Sequence, residues 1–263
     1  MKSIGRGKIK MTDVVQSVDR ALSILEVISD YSEGLGVTEI SEKVGLHKST
    51  VYRLLSTLNH KGYVVQDDKT NRYMITLKLF ELGNKKVEDM NILTTSRPYT
   101  KQLMKEVNEV VHLVVREDNE IVYIDKVEAD NTIRMASTIG RRSPLYCTSV
   151  GKVILAQLSE DEVEEVWSRS KIEKLTKYTI TDLGTMKKEL EIVKEKGYAI
   201  DNEENEVGVR CIGAPVFNMH GEVEGAISIS GPTIRVTEDK VKVFAKEVVK
   251  YANLISKELG YIG

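Results

Sequence analysis

The sequence predicts an α+β protein in two parts: a small helical unit closed by a hairpin, then a larger unit in which strands alternate with helices. Three observations carry that expectation. Residues 37–58 read as two short amphipathic helices broken at Gly45, the first burying Ile40 and Val44. The second places Val51, Leu54, Leu55 and Leu58 at the i, i+3, i+4, i+7 spacing of one helix face. Directly after them, the polar turn Asp67-Asp68-Lys69-Thr70-Asn71 separates two short runs of strand character. From His112 onward, hairpin patterns recur with amphipathic helices between them.

Composition sets the outer bounds. The 263 residues are enough for one large or two ordinary domains, and 41% apolar with 30% charged residues fits a soluble globular chain. No window reaches the roughly 18 uninterrupted apolar residues of a membrane span, and the basic N-terminus (Lys2, Arg6, Lys8, Lys10) is not followed by the apolar run of a secretory signal. Two cysteines, Cys147 and Cys211, are too few for a disulfide framework, so a reducing cytoplasm is expected. The net charge of -2 hides a mild asymmetry, with 14 Lys and Arg against 12 Asp and Glu in residues 1–90 and 24 against 28 in the rest. That difference alone does not mark a nucleic-acid binder; placement of the basic groups does.

Taken in order, residues 1–12 lack apolar periodicity and read as a flexible basic arm. Such an arm either follows a DNA groove or is a plain tail. A helix is expected over Gln16–Asp30, with Val18, Ala21, Leu22, Leu25 and Ile28 as its apolar stripe and Asp13 or Ser17 as its cap. The two helices around Gly45 follow as a helix-turn-helix, the glycine supplying the permissive backbone of the turn. Gly62 ends the second helix, and Tyr63–Gln66 with Arg72–Thr76 form a hairpin, which turns the motif into a winged helix over residues 13–77. Residues 78–92 read as a linker helix, and a longer helix over Leu93–Val107 is bent or delayed by Pro98.

Residues 93–263 form the second domain. His112–Arg116 and Ile121–Asp125 make a hairpin, Ile133–Thr138 a strand, and Val150–Leu158, Glu160–Ser168 and Leu183–Lys196 helices. Val209–Phe217 and Val223–Ser230 are strands around Asn218–Gly221. The last helix carries Val241, Phe244, Ala245, Val248, Ala252, Ile255 and Leu259 on one stripe, which must cover the sheet or another subunit. This order resembles the GAF type of α/β sensor domain with an antiparallel sheet.

Three stretches, in this order and spacing, resemble the IclR family of bacterial transcription regulators from about Val15 to Gly260. They are Val18-Asp19-Arg20-Ala21-Leu22-Ser23-Ile24-Leu25, then Gly45 through Leu55, then a set made of Ser149–Lys152, Gly208–Val216 and Ala226–Pro232. The resemblance implies a winged-helix domain, a linker helix and an effector-binding, oligomerising domain. It further implies a homodimer or homotetramer, a pseudo-palindromic double-stranded operator, and a small organic or aromatic acid as effector. A sugar-derived keto acid such as 2-keto-3-deoxygluconate suits the polar positions retained here. One departure is His47, where many relatives have proline.

For the DNA contact, the candidates are Lys48, Ser49, Thr50, Tyr52 and Arg53 on the second helix, with Lys69 and Arg72 on the wing. A helix in the major groove reads bases with its N-terminal half, and Arg53 suits bidentate guanine recognition. Arg53 can equally be a phosphate clamp or an internal ion pair, Ser49 or Thr50 a helix cap, and the wing a lid on a small core. For the effector, the start of the helix at Ser149, Val150 and Gly151 offers backbone N–H groups to an anion, or is simply capped by Thr148 or Ser149. Ser228 and Ser230 alternate along one strand and share a face. The resemblance implies an effector pocket at Met135, Ser149, Val150, Asp201, Cys211, Ser228 and Ser230. No catalytic residue, cofactor or metal ligand set is expected. Cys211 with His112 or His220 lacks a local nucleophile motif, and His47, His60, His112 and His220 lack zinc spacing with the cysteines. A DNA-binding protein whose second domain serves only assembly is the alternative.

Overall fold

The computed structural model describes residues 14–88, 91–132 and 135–263. They form two compact units, one ending with the helix Lys78–Glu88 and one beginning with the helix Asn91–Val107. The basic arm expected for residues 1–12 lies outside the described residues.

In the first unit, α1 (Gln16–Ser29), α2 (Val37–Val44) and α3 (Lys48–His60) enclose a core of Ile24, Leu25, Ile28, Ile40, Val51, Leu55 and Leu58. The turn between α2 and α3 depends on Gly45 at φ +67°, a conformation costly for any residue with a Cβ. Two details differ from expectation. Val15, not Asp13 or Ser17, occupies the N-cap of α1 and makes no side-chain cap bond; Asp13 is outside the described residues. The apolar stripe of α1 is also wider than the core it meets, because α2 and α3 pack on its C-terminal half; Val18 and Leu22 stay more than half exposed.

Strands β1 (Val64–Gln66) and β2 (Tyr73–Ile75) pair antiparallel with Val65 opposite Met74. Leu35 adds a bridge to Tyr73, exchanging both backbone hydrogen bonds at 3.0 and 2.8 Å. The wing turn is held by the Asp67 carboxylate, which accepts from the N–H groups of Lys69 and Thr70. The unit closes with α4 (Lys78–Glu88).

The second unit is a six-stranded antiparallel sheet in the order β5-β4-β3-β8-β7-β6, built from β3 (Val110–Glu117), β4 (Glu120–Val127), β5 (Arg142–Pro144), β6 (Ala199–Asn202), β7 (Val209–Phe217) and β8 (Val223–Pro232). Helices α5 (Asn91–Val107) and α9 (Glu238–Glu258) lie against one face, and α6 (Ser149–Leu155) against the other, backed by α8 (Leu183–Lys196). Helix α7 (Glu160–Arg169) adds Val163 and Val166 to the core on the α6 side. The stripe of α9 therefore covers the sheet of its own chain. Ser256 on α9 is buried there, accepting from the Phe217 N–H at 2.9 Å where β7 changes register.

Helix α5 runs through Pro98 without a break. The strand expected over Ile133–Thr138 is not formed at residues 135–138, and residues 133 and 134 lie outside the described residues. Edge strands β5 and β6 were not anticipated; three and four residues are too few to show a period.

Candidate nucleic-acid interface and effector site

On α3 the period of burial separates two jobs. Val51, Leu55 and Leu58 are buried, and Lys48, Ser49, Tyr52 and Arg53 are exposed, with Thr50 half-buried beside them. Helix α3 has His47 at its N-cap with no side-chain cap bond, so neither Ser49 nor Thr50 serves as cap. Ser56 and Thr57 turn their hydroxyls back onto the carbonyls of Tyr52 and Arg53, which leaves the external donors in the first two turns. Among the described residues no carboxylate pairs with Arg53. Lys48 and Arg53 are both exposed in the first two turns of α3, the part of a recognition helix that faces a groove in known complexes.

The two basic residues of the wing sit in different surroundings. Lys69 is exposed at the turn. Arg72 is tied into its own unit: Nε donates to the Gly34 carbonyl at 3.0 Å and Nη2 to Glu39 Oε1 at 3.0 Å. Glu39 Oε2 meanwhile accepts from the Gly36 N–H at 2.8 Å, so one carboxylate fastens the start of α2 and the wing together. The Gly36 N–H, followed by Arg72, holds the Glu39 carboxyl below the usual range. Arg72 thus braces the wing within its own unit.

In the second unit, strand register brings the expected effector residues to the α6 face. Asp201 on β6 pairs with Cys211 on β7, which pairs with Ser230 on β8. Ser228 pairs with Gly213 on one side and His112 of β3 on the other. Partners across an antiparallel ladder share a face, so Asp201, Cys211, Ser228, Ser230 and His112 line one floor. His112 was missed as a pocket residue; its position opposite Ser228 follows from the β3–β8 register, which no local pattern encodes. Its Nδ1 lies 3.3 Å from Ser230 Oγ and its Nε2 2.7 Å from Ser137 Oγ, while Ser228 and Ser230 hydroxyls are 3.4 Å apart. Tyr123 sets its ring edge against the imidazole at 5.0 Å. Lys126 donates to the carbonyls of Met135 and Ser137, which fixes the half-buried Met135 beside this floor.

The start of α6 forms the opposite wall. Gly213 passes so close that a Cβ there would come within 2.9 Å of Ser149 C and Val150 N. Thr148 caps the helix, its Oγ1 accepting from the Gly151 N–H at 3.1 Å. Gly151 lies against the Leu145 backbone and Thr148, where a Cβ would collide. Its N–H is taken by the Thr148 cap and its missing side chain makes room for the Leu145 backbone.

Burial tunes the floor. Desolvation, then the nearby charge of Glu204, pushes Asp201 up to about 7, although its Oδ1 accepts from the N–H groups of Glu204 and Asn205. Desolvation and the Lys126 charge push His112 down to about 3, so the imidazole is neutral at physiological pH. Burial raises both thiols, Cys147 to about 12 and Cys211 further. Burial thus disfavours the thiolate at both positions. What the floor offers is hydroxyls, a neutral imidazole and a carboxyl poised between donor and acceptor.

Comparison with known proteins agrees with both halves of this arrangement. Residues 17–68 match the model of the IclR helix-turn-helix domain, and residues 84–257 that of the bacterial transcriptional regulator IclR C-terminal domain. The chain is 38% identical over 252 residues to the HTH-type transcriptional regulator KdgR of Escherichia coli (strain K12), covering 96% of this chain and 95% of that protein. It is 38% identical over 249 residues to the DNA-binding transcriptional repressor YiaJ of the same organism, covering 94% and 88%. The crystal structure of the Thermotoga maritima IclR matches with a TM-score of 0.81 at 36% identity, over 94% of this chain and 100% of that one. With a helix-turn-helix unit, a second unit built on a six-stranded sheet, and relatives matched over most of their length, the chain belongs to the IclR family of bacterial transcription regulators.

Proposed function

We propose that this regulator is an operator-binding repressor whose DNA affinity is set by a small hydroxylated keto acid, with a sugar-derived acid such as 2-keto-3-deoxygluconate the first candidate. The observation that carries the reading is the buried floor of Ser228, Ser230, His112 and Asp201. Such a floor favours a ligand with its own hydroxyl and oxo groups, which can exchange hydrogen bonds with these hydroxyls and the carboxyl where an apolar acid cannot. A carboxyl near pKa 7 can accept from a ligand hydroxyl or donate to a ligand oxygen, so it does not repel an anion as a fixed aspartate charge would.

Exposed apolar side chains support a homodimer, extended to a homotetramer if the sensor units also associate. Val14, Val15, Val18 and Leu22 at the start of α1 remain open, as do Leu77 and Phe80. A two-fold pair of α3 helices reads a pseudo-palindrome with half-sites about one DNA turn apart. The effector acts by differing affinity for DNA-competent and incompetent arrangements, with α4 as the connecting element.

The test is fluorescence anisotropy on DNA selected by the full-length protein, titrated with 2-keto-3-deoxygluconate, other sugar acids, pyruvate and benzoate. Release by a hydroxylated keto acid and not by benzoate is expected. No response to any of them, or a response to benzoate alone, overturns the reading.

A further inference from the structure

Strand β4 supplies a side of the polar floor that no local pattern marks. Register carries it there. His112 on β3 stands opposite Ser228 on β8, and the next residue on its face, Val114, stands opposite Tyr123 of β4 after a shift between Leu113 and Val114. Tyr123 therefore shares the α6 face with His112, Ser228 and Ser230, and it packs there against the core that holds Cys147 and Val150. Its backbone is tied on both sides, the N–H donating to the Arg141 carbonyl at 3.1 Å and the carbonyl accepting from the Gly140 N–H at 2.8 Å. Its ring edge rests on the His112 imidazole, which Ser230 and Ser137 hold between them. The ring is thus aimed before any ligand arrives.

The hydroxyl end faces the far side of the floor. In a flat sheet β4 and β6 would stand four strand spacings apart, roughly 19 Å. Yet burial, then the nearby Cys211 thiol and the Asp201 carboxyl, push the Tyr123 phenol up to about 12. The sheet is therefore curled enough to bring Tyr123 across from Asp201 and Cys211. Tyr123 and Cys211 are both only half-buried although α6 lies over their strands, so open space remains between them. Ser143 is the hydrogen-bonding side chain beside the phenol. A phenol that keeps its proton both donates and accepts, so one serine leaves it with capacity for a ligand.

We propose that Tyr123 is a specificity-determining residue of the effector site: its hydroxyl bonds a hydroxyl on the carbon chain of the acid, so the site selects hydroxylated chains over bare ones. This rests on the effector reading above and adds to it the side chain that reads the body of the ligand. A sugar-derived hydroxyl is itself donor and acceptor and satisfies the phenol. A methylene in the same place leaves the phenol desolvated and unpaired, which is the larger penalty. The phenol is neutral, so the discrimination falls on the hydroxyls and not on the carboxylate that both kinds of acid share. His112 is a positioning residue in this arrangement, since its imidazole sets the tilt of the tyrosine ring.

Calorimetry on the full-length protein tests it with 2-keto-3-deoxygluconate and 2-oxohexanoate, which has the same chain and keto acid but no hydroxyls. Tyr123→Phe keeps the ring against His112 and removes only the hydroxyl. It should weaken 2-keto-3-deoxygluconate roughly tenfold and leave 2-oxohexanoate within about twofold, so the preference of wild type for the hydroxylated acid collapses. The urea transition of the variant, followed at Trp167, should match wild type, which keeps the test sound if the bare acid binds too weakly to titrate. A tyrosine that only packs would weaken both acids equally, and that result overturns the proposal. So does an unchanged affinity for 2-keto-3-deoxygluconate in Tyr123→Phe. Wild type that binds neither acid overturns the effector reading itself, a different failure from binding that Tyr123→Phe does not alter.

Discussion

The two units keep their working side chains in opposite conditions. On α3 every candidate reader except Thr50 is exposed, and the helix is held by apolar residues that do nothing else. On the sensor floor Asp201, His112, Ser228 and Ser230 are all buried, so the groups proposed to read a ligand also hold the sheet together. The difference teaches that the exposed face of α3 can change its side chains at little cost to folding. The buried floor cannot, because each polar substitution there is also a stability change.

The largest expected effect breaks that comparison if it fails. Arg53→Ala should abolish specific operator binding: one bidentate base contact is worth about 1–3 kcal/mol, and the proposed two-fold dimer would lose it twice. Footprinting on selected DNA measures the loss, while urea unfolding and effector binding should match wild type. A footprint that survives would mean Arg53 only touches the backbone. This half of the site was legible in the sequence, since the period that buries Val51, Leu55 and Leu58 necessarily exposes Lys48, Ser49, Tyr52 and Arg53. The same reasoning erred on α1, where a five-residue stripe said nothing of how much of it the core would cover.

Next in size is a pH effect on the sensor unit. Asp201 is raised from 3.8 to about 7, so between those values the folded state keeps a proton that the unfolded chain has released. Its contribution falls as pH rises through that window. His112 is lowered from 6.5 to about 3, so below 6.5 the unfolded chain takes up a proton the folded state refuses. That contribution is complete above pH 6.5 and is lost as pH falls towards 3. From about pH 4 to 6.5 the two slopes oppose one another. Asp201→Asn should therefore make stability climb with pH, and His112→Gln should make it decline. Each slope approaches at most about 1.4 kcal/mol per pH unit. Trp167, the one tryptophan of the chain, lies in the sensor unit and reports its urea unfolding there. Parallel pH profiles for both variants and wild type would show that neither group is buried as described.

Gly213→Ala comes third. Its Cβ would press on backbone atoms of Ser149 and Val150, which cannot swing aside as a side chain does. An overpacking cost of about 1–3 kcal/mol is expected in the Trp167 transition, together with a weakened effector response and normal operator affinity. Nothing local in the sequence marks this glycine, and the same holds for His112. Both matter because of which strand lies beside which, and that is settled by β3–β8 and β7–β8 pairing across long stretches of chain. Ser228 and Ser230 were legible because alternation within one strand is local. The packing of Gly151 was not legible for the converse reason, since the backbone of Leu145 that crowds it comes from outside the helix pattern.

The smallest effect separates the two basic residues of the wing. Lys69 is exposed and Arg72 is braced against Gly34 and Glu39, so their neutral variants should fail differently. Lys69→Gln should lower the slope of log affinity against log salt by roughly one per chain, the signature of a lost phosphate contact. Arg72→Gln should leave that slope unchanged and instead loosen the DNA-binding unit slightly, seen as faster amide exchange at Leu35 and Tyr73, whose backbone bridge the arginine flanks. If Arg72→Gln alters the salt slope and Lys69→Gln does not, the Arg72–Glu39 pair opens on the operator. The rule that the output unit keeps its readers free of internal duties would then fail at the wing.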